Sequence, residues 1–351
     1  MLGLIKALQE VLPPNLDAFF FANSGAEAVE ASVKFARQFT SKTNIIAFQG
    51  AFHGRTVGAM SLTASKTIYR SGYQPLMPGV FFAPYAYCYR CPKAEANPQQ
   101  FGFDNDCNST IEQVSFLLKS QTSPEETAAI LVEPVIGEGG YIVPPQRFIQ
   151  GLRQLCDDNN LLLIVDEIQS GMGRTGRFFA FEHFDIVPDI LIISKALASG
   201  MPLSCVITRR ELMDRTKSGS HGGTFGGNAV ACTAAIATLQ VLQEEGLVEN
   251  AARLGQTLLS KLKVIQERHP KIGDIRGLGL MVGVEFVIPD SRTPDTDKAK
   301  MVQKACLEEG LVLLTCGTYD NIIRWIPPLI INEKELDEAL NIFENAMERV
   351  A

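Results

Sequence analysis

The chain has 351 residues, of which 46% are hydrophobic and 20% are charged, and its formal net charge is -7. This composition is typical of a globular protein long enough for one large domain and a smaller one. The negative charge argues against nucleic acid or an anionic membrane as the main partner, since proteins that bind either one usually carry a surplus of Lys and Arg. We therefore expect chemistry on a small molecule.

The N-terminus and the cysteines indicate the cellular compartment. The stretch "MLGLIKALQEVLPP" is interrupted by Lys6 and Glu10 and is followed by no small-residue cleavage site, which predicts an amphipathic helix and not a signal peptide. No apolar run is long enough to cross a membrane. Four cysteines fall in apolar periodic segments, where Cys behaves as a core residue: Cys156, Cys205, Cys232 and Cys306. We expect a cytoplasmic protein.

Strand-like and helix-like segments alternate through the first two thirds of the chain. Short apolar runs predict strands at residues 44–48, 128–132, 161–165, 190–193 and 204–208, separated by helices or long loops. This alternation is typical of a mostly parallel sheet with helices on both faces. We expect an α/β domain in this region.

The pattern changes near residue 229. Helices are predicted at residues 229–245 and 248–268, followed by one Gly-punctuated strand in "GDIRGLGLMVGVEFV". A helix at residues 297–309, two strands and a terminal helix at residues 333–350 complete the chain. We expect a smaller α+β domain over residues 236–351, after a large domain over residues 1–235. Residues 85–108 are expected to be irregular.

A possible phosphate site lies at the start of a predicted helix in "NSGAEAVEAS". Ser24 is placed to cap this helix, and Glu27, three residues on, would complete a capping box. With Gly25 as the small first residue, the free N–H groups and the positive end of the helix dipole would form a phosphate cradle. Taken alone, the same pattern fits a plain capped helix.

Two charged residues stand at the ends of buried strands. Asp166 ends the most apolar strand, and Lys195 follows "ILIIS" and precedes the small residues 196–200. A protonated pyridine would satisfy a buried acid, and a partly neutral Lys amine forms an imine with an aldehyde. Alone, Asp166 fits a solvated strand end and Lys195 a surface residue. Together they indicate pyridoxal 5'-phosphate (PLP), whose partners are a Lys and an acid at the ring nitrogen.

Seven motifs extend this pairing across nearly the whole chain. In order they are "NSGAEAVEAS", "FHGRT", "LVEPVIGEGG", "VDEIQSGMGRTG", "PDILIISKALASGMPLS", "HGGTFGGNAVAC" and "IIRWIPPLII". On these motifs the sequence resembles a class III aminotransferase, from the subgroup of 4-aminobutyrate, ornithine and acetylornithine aminotransferases. The resemblance implies fold type I of the PLP-dependent transferases, with a mostly parallel large domain and a smaller C-terminal domain.

The resemblance also implies which residues hold PLP. Gly25 and Ala26, after the capping Ser24, offer backbone N–H groups to the phosphate. Phe52 stacks on one face of the pyridine ring, and Ile168 closes the other face. His53, next to Phe52, is expected to help hold the cofactor.

Four further roles follow from the resemblance. Asp166 binds the ring nitrogen, and Gln169 lies near the ring hydroxyl. Lys195 forms the covalent bond to the cofactor and shuttles a proton between the substrate carbon and the cofactor. Thr224 reaches the phosphate of the cofactor in a neighbouring subunit, so the active unit is expected to be a homodimer.

Three charged residues are expected to bind the substrate. Arg324 matches the family's clamp for an α-carboxylate, and Arg55 matches the clamp for a distal carboxylate, because a guanidinium binds a carboxylate in a bidentate fork. Glu138 matches the acid that pairs with the first arginine when the amine donor lacks an α-carboxylate. Taken alone, either arginine fits a surface salt bridge.

The leading functional hypothesis is an ω-aminotransferase that moves an amino group from a terminal amine, of the 4-aminobutyrate or ornithine type, to 2-oxoglutarate. The sequence departs from the family at Ile136, where Gln is usual, and family members begin upstream of "MLGLIKALQ" with a segment that lines the substrate entrance. The alternatives are an amino-acid racemase of the same fold and an inactive cofactor-binding or dimerisation relative.

A zinc site is the remaining chemical alternative. Cys88 and Cys91 in "YCYRCP" have ligand spacing, and Cys107 is a possible third ligand. One such pair without a second pair or a nearby His is a weak signal, so no metal is expected.

Overall fold

A computed structural model describes residues 1–91 and 108–350. The predicted N-terminal helix is present as α1 (Leu2–Gln9), which buries Leu4 and Leu8 against helix α7 (Ala229–Glu244). Lys6 and Glu10 lie on the exposed side of this segment, as expected for an amphipathic helix.

Within the described residues, seven strands form one sheet in the order β1-β7-β6-β5-β4-β2-β3. The strands are β1 (Ala18–Ala22), β2 (Asn44–Phe48), β3 (Val80–Ala83), β4 (Thr127–Val132), β5 (Leu162–Asp166), β6 (Ile190–Ile193) and β7 (Ser204–Thr208). Neighbours are parallel from β6 to β3, whereas β7 is antiparallel to both β6 and β1. The predicted mostly parallel α/β sheet is confirmed, and β1 and β3 are strands that the sequence reading missed.

The apolar runs in these strands follow from burial on both faces of the sheet. In β4, Ile130 and Val132 belong to the core on one face, and Ala129 and Leu131 belong to the core on the other. Successive side chains of a strand point to opposite faces, so a strand covered on both sides is apolar throughout. The covering helices are α2 (Gly25–Thr40), α3 (Val57–Leu62), α4 (Asn108–Ser120), α5 (Gln146–Asn159), α6 (Arg210–Met213) and α7.

The rest of the chain packs around a second sheet with its own core. Its elements are α8 (Leu247–Arg268), β8 (Ile272–Leu278), β9 (Met281–Phe286), α9 (Thr296–Glu308), β10 (Leu314–Cys316), β11 (Ile322–Trp325) and α10 (Glu333–Arg349). The strand order is β10-β11-β9-β8, and all neighbours are antiparallel. The C-terminal region of helices and antiparallel strands is thus α+β, as expected.

The prediction of one strand across "GDIRGLGLMVGVEFV" is wrong. The segment is the hairpin of β8 and β9, which turns at Gly279, where φ is +52°. A Cβ at Gly279 would lie 2.4 Å from the carbonyl carbon of Thr175, so both the backbone angle and the space require glycine. The turn therefore reverses the chain inside a stretch that reads as one apolar run.

The predicted boundary between residues 235 and 236 stays a prediction. Helix α7 spans it, and its buried residues Ala231 and Leu242 belong to the core of the larger sheet. Of the stretch expected to be irregular, Cys88–Arg90 forms a short 3-10 turn, and residues 92–107 lie outside the described part. Among the described helices, none combines the length and the apolar character needed to cross a bilayer.

Candidate active site

A cavity of about 190 Å³ opens at the carboxyl ends of the parallel strands. Asp166 is the last residue of β5, and Lys195 follows the adjacent parallel strand β6 after one residue. Nine of the residues predicted for the site line this cavity. They are Gly25, Ala26, Phe52 and His53 from the first part of the chain, and Glu138, Asp166, Ile168, Gln169 and Lys195 from the middle of the chain.

The N-terminus of α2 forms one part of this wall. Ser24 Oγ accepts a hydrogen bond from Glu27 N at 3.3 Å, as predicted. The other half of the predicted capping box is wrong, because the Glu27 carboxylate accepts from Asn23 N at 2.7 Å instead of from Ser24 N. A Cβ at Gly25 would lie 2.8 Å from Ile168 Cδ1, so a larger residue would collide with the side chain opposite.

His53 and Asp166 form a buried pair behind the cavity. His53 Nδ1 lies 2.7 Å from Asp166 Oδ2, and both side chains are almost fully buried. A carboxylate only accepts, so the proton of this hydrogen bond belongs to His53 Nδ1. Asp166 Oδ1 accepts from Ile168 N at 3.0 Å, which fixes the orientation of the carboxylate. Sequence reasoning placed both residues in the site but did not foresee their contact.

Lys195 has an unusual backbone and a perturbed side chain. Its φ is +43°, in the left-handed region that non-glycine residues rarely adopt and that clusters at functional sites. Solvent reaches the side chain, yet desolvation by the surrounding protein lowers the pKa of the amine, against the opposing charges of Asp166, Glu133 and Glu138. The described residues offer the amine no ion pair or hydrogen bond. These features mark Lys195 as the candidate reactive amine of the cavity.

The second sheet contributes Arg324, which is paired with a residue of the cavity wall. Arg324, on β11, forms an ion pair with Glu138, with 2.5 Å between Nη1 and Oε1. Both side chains are largely buried, at 14% and 23% exposure. Arg324 Nε is buried without a partner among the described residues, so the guanidinium keeps a free donor.

Four predicted residues lie outside the cavity wall: Ser24, which caps α2, Arg324, which is paired with Glu138 of the wall, Arg55 and Thr224. Arg55 is exposed, with its guanidinium carbon 5.1 Å from the ring centroid of Tyr69 and 5.9 Å from that of Phe52. Thr224 is exposed in the loop between α6 and α7. Their expected contacts with a distal carboxylate and with a neighbouring cofactor stay predictions.

Sequence reasoning missed one acid in the site. Glu133 follows β4 directly, is 6% exposed and lines the cavity with Asp166 and Lys195. The signal was available, because an acid at the end of a buried strand is the same pattern that singled out Asp166. Within residues 1–91 and 108–350, no cluster of His, Cys, Asp and Glu could hold a metal, and Cys107 lies outside those ranges.

The sequence profile described as aminotransferase class-III matches residues 1–347. The chain belongs to this family. A probable 4-aminobutyrate aminotransferase of Bacillus subtilis is 42% identical over 325 residues, which cover 92% of this chain and 73% of the relative. A 5-aminovalerate aminotransferase of Pseudomonas aeruginosa is 41% identical over 93% of this chain and 74% of the relative.

Solved structures agree with this assignment. A thermostable omega transaminase mutant from Pseudomonas jessenii superimposes with a TM-score of 0.92 at 29% identity, covering 100% of this chain and 79% of that one. An amine transaminase from an uncultivated Pseudomonas species, solved in its PLP-bound form, superimposes with a TM-score of 0.92 at 27% identity, covering 100% of this chain and 81% of that one. The predicted fold type I is therefore confirmed.

This class-III aminotransferase uses PLP, and the cavity fits that group. A helix N-terminus with a glycine that tolerates no Cβ suits the phosphate, the oriented Asp166 carboxylate suits a protonated ring nitrogen, and the unpartnered Lys195 amine suits the aldehyde. When bound, PLP supplies an electron-poor ring that stabilises negative charge on the substrate carbon. The racemase and inactive-relative alternatives are not favoured, since the relatives are aminotransferases.

Proposed function

We propose that this enzyme transfers the terminal amino group of an ω-amino acid, with 4-aminobutyrate as the first candidate, to 2-oxoglutarate. The observation that carries the proposal is the ion pair of Arg324 with Glu138 beside Lys195. An ω-amino acid has no carboxylate next to its amine, so Arg324 needs another anion while this donor reacts. Glu138 is that anion. In the other half-reaction Glu138 moves away, and Arg324 binds the α-carboxylate of glutamate or 2-oxoglutarate.

The proposed roles of the other residues are those that the family resemblance implies, and their places in the cavity wall support them. Lys195 Nζ holds the cofactor covalently and, when free, takes and returns the proton of the amine-bearing substrate carbon. Asp166 keeps the ring nitrogen protonated, and His53 holds Asp166 in position. Phe52 and Ile168 enclose the ring, while Gly25 and Ala26 bind the phosphate.

The names of the relatives support two donors that differ by one methylene. The Bacillus subtilis relative is described as a probable 4-aminobutyrate aminotransferase and the Pseudomonas aeruginosa relative as a 5-aminovalerate aminotransferase, at nearly equal identity. One methylene changes binding in an apolar pocket by only about 1–3 kcal/mol. We therefore take 5-aminovalerate as the second candidate and Arg55 as the proposed contact for the distal carboxylate of either.

A homodimer is part of the proposal. Thr224 stands next to Phe225, which is 71% exposed, and Val57 and Val230 are 59% and 65% exposed. Exposed apolar side chains around the start of α3 and α7 are suited to contact with a second copy. The cytoplasmic location stays a prediction that rests on cysteines in apolar segments.

A panel of amine donors tests the function directly. The protein is loaded with PLP and given 2-oxoglutarate, with 4-aminobutyrate, 5-aminovalerate, ornithine and a primary amine that lacks a carboxylate in separate reactions. Alanine is incubated alone as a test for racemisation. We expect glutamate to form fastest with one of the two ω-amino acids. The proposal is wrong if neither ω-amino acid reacts while ornithine or the amine without a carboxylate does, or if alanine is racemised instead.

A further inference from the structure

Glu133 joins two of the loops that line the site. Its Oε1 accepts a hydrogen bond from Phe52 N at 2.8 Å, and its Oε2 accepts from Gly137 N at 2.9 Å. The first loop places Phe52 and His53 in the cavity wall, and the second places Glu138 there. The Glu133 side chain is thus in contact with the backbone of both loops.

A second acceptor faces the same point without a donor. Gln169 Oε1 is buried and has no hydrogen-bond partner among the described residues. A Cβ built on Gly137 would lie 2.0 Å from Gln169 Oε1 and 3.2 Å from Glu133 Oε2, so both oxygens flank the same face of Gly137 and lie no more than 5.2 Å apart. At hydrogen-bond distance, two acceptors repel each other unless a proton lies between them.

We propose that Glu133 is a positioning residue that keeps a proton and donates it in a hydrogen bond to Gln169 Oε1. This bond fixes the Gln169 amide with its nitrogen turned toward the cavity. There the nitrogen offers a donor to an anionic oxygen, such as the ionised ring hydroxyl of PLP. If Glu133 lost its proton, the amide would turn its nitrogen to the carboxylate and present an oxygen to the cavity, which repels an anion.

Burial supports a proton on Glu133. Desolvation raises the pKa of the Glu133 carboxyl to about 7, and the charge of Asp166 adds to this rise. His53 and the two backbone N–H groups oppose it. Lys195, whose pKa Glu133 raises in return, and Glu138, already paired with Arg324, are the other charged groups in this cavity wall.

Glu167 provides a matched control. It is also buried, its two oxygens accept backbone N–H groups from Ala180 and Phe181 at 2.7 Å each, and burial raises its pKa to about 8. It does not line the cavity. A change that depends only on a buried glutamate should therefore appear in Glu167→Gln as well.

The test measures binding of pyridoxamine 5'-phosphate, which lacks the aldehyde, by equilibrium dialysis between about pH 6 and about pH 9. Glu133→Gln has an amide nitrogen that replaces the O–H donor and cannot be titrated. We expect it to bind like the wild type at the low end and about tenfold more tightly than the wild type at the high end. Glu133→Ala should bind about tenfold more weakly than Glu133→Gln throughout. Glu167→Gln should follow the wild type.

Two further measurements make the test independent of folding and activity. Gln169→Leu removes the acceptor and leaves Glu133, so its binding should be weak and should not separate from that of a Glu133→Ala, Gln169→Leu double variant at any pH. Infrared spectra of the apo-protein at low pH should contain a protonated carboxyl band that Glu133→Gln removes.

The inference is overturned if Glu133→Gln follows the wild type at every pH, if it binds as weakly as Glu133→Ala, or if the apo-protein lacks that band. It rests on PLP as the bound cofactor, but binding is measured without any amine donor. If Glu133→Gln binds pyridoxamine 5'-phosphate tightly and with the pH dependence of the wild type, only the role of Glu133 is rejected. Failure of the donor panel would reject only the proposed substrates.

Discussion

Arg324 of the second sheet forms an ion pair with Glu138 of the cavity wall, in the loop after β4, although 186 positions separate them in the chain. In the proposed function, this pair occupies the α-carboxylate site while the amine donor lacks an α-carboxylate. We expect the pair to open for one substrate and stay closed for another, since the Glu138 side chain has one partner among the described residues and keeps 23% exposure. This relationship leads to the first two predictions.

Replacing Glu138 with Gln should slow the half-reaction of 4-aminobutyrate by about ten- to a hundredfold, or about 1.4 to 2.7 kcal/mol. The reason is that Arg324 would be left largely buried without an anion during that step. The glutamate half-reaction should be spared or faster. Single-turnover absorbance changes of the bound cofactor, recorded separately for each amine, check this. Equal losses in both half-reactions would leave Glu138 as scaffolding only.

Replacing Arg324 with Lys should have the opposite selectivity. The glutamate half-reaction should lose at least about tenfold, because an ammonium point charge cannot replace the bidentate fork of a guanidinium. The 4-aminobutyrate half-reaction should lose less, since Lys still offers Glu138 a cation. The same single-turnover measurement decides, and a greater loss for 4-aminobutyrate than for glutamate would contradict the assignment of the α-carboxylate to Arg324.

Replacing Lys195 with Ala should abolish covalent attachment of the cofactor. Lys195 is the amine in the cavity wall, and nothing in the described residues holds it in another contact. Borohydride reduction followed by mass spectrometry measures the adduct. Lys66→Ala is the control, because Lys66 forms an ion pair with Asp320 and does not line the cavity. An adduct that persists in Lys195→Ala and disappears in Lys66→Ala would refute the assignment.

Glu167 should make the folded protein less stable as pH rises. Burial raises its pKa to about 8, while the unfolded carboxyl releases its proton near about 4.3. Between those values the folded chain binds the extra proton, so the unfolding free energy falls by up to about 1.4 kcal/mol per pH unit. Urea unfolding from about pH 5 to about pH 8 should show a smaller fall for Glu167→Gln, while the exposed control Glu211→Gln should keep the wild-type slope. An identical slope in all three proteins would contradict a proton on Glu167.

Cofactor binding and assembly should be coupled through Thr224. If Thr224 reaches a neighbouring phosphate, PLP should tighten the dimer, since a ligand that binds only one state shifts the equilibrium toward it. Thr224→Val should weaken PLP binding and dimer formation by about tenfold each. Ser218→Ala, at an exposed position of the same loop, should change neither. Sedimentation at micromolar concentration with and without PLP measures the effect. A monomer that holds PLP tightly would count against the coupling.

The sequence alone determined the features that depend on local pattern. Strands buried on both faces must be apolar throughout, so β2, β4, β5, β6 and β7 could be predicted, and with them the strand ends that carry Asp166 and Lys195. The short strands β1 and β3 were missed because runs such as "VFFA" do not distinguish a strand from a loop segment packed on the core. The β8–β9 turn was missed because its glycine lies inside an apolar run.

Only the tertiary structure decided which distant groups meet. The contact of His53 with Asp166, the ion pair of Arg324 with Glu138, and the hydrogen bond of Phe52 N to Glu133 join segments from different elements. Periodicity reports which side of an element is buried, but it carries no information on what another loop brings to that side. Burial then sets the chemistry, because desolvation changes the pKa of a carboxyl or an amine only after the whole chain has closed around it.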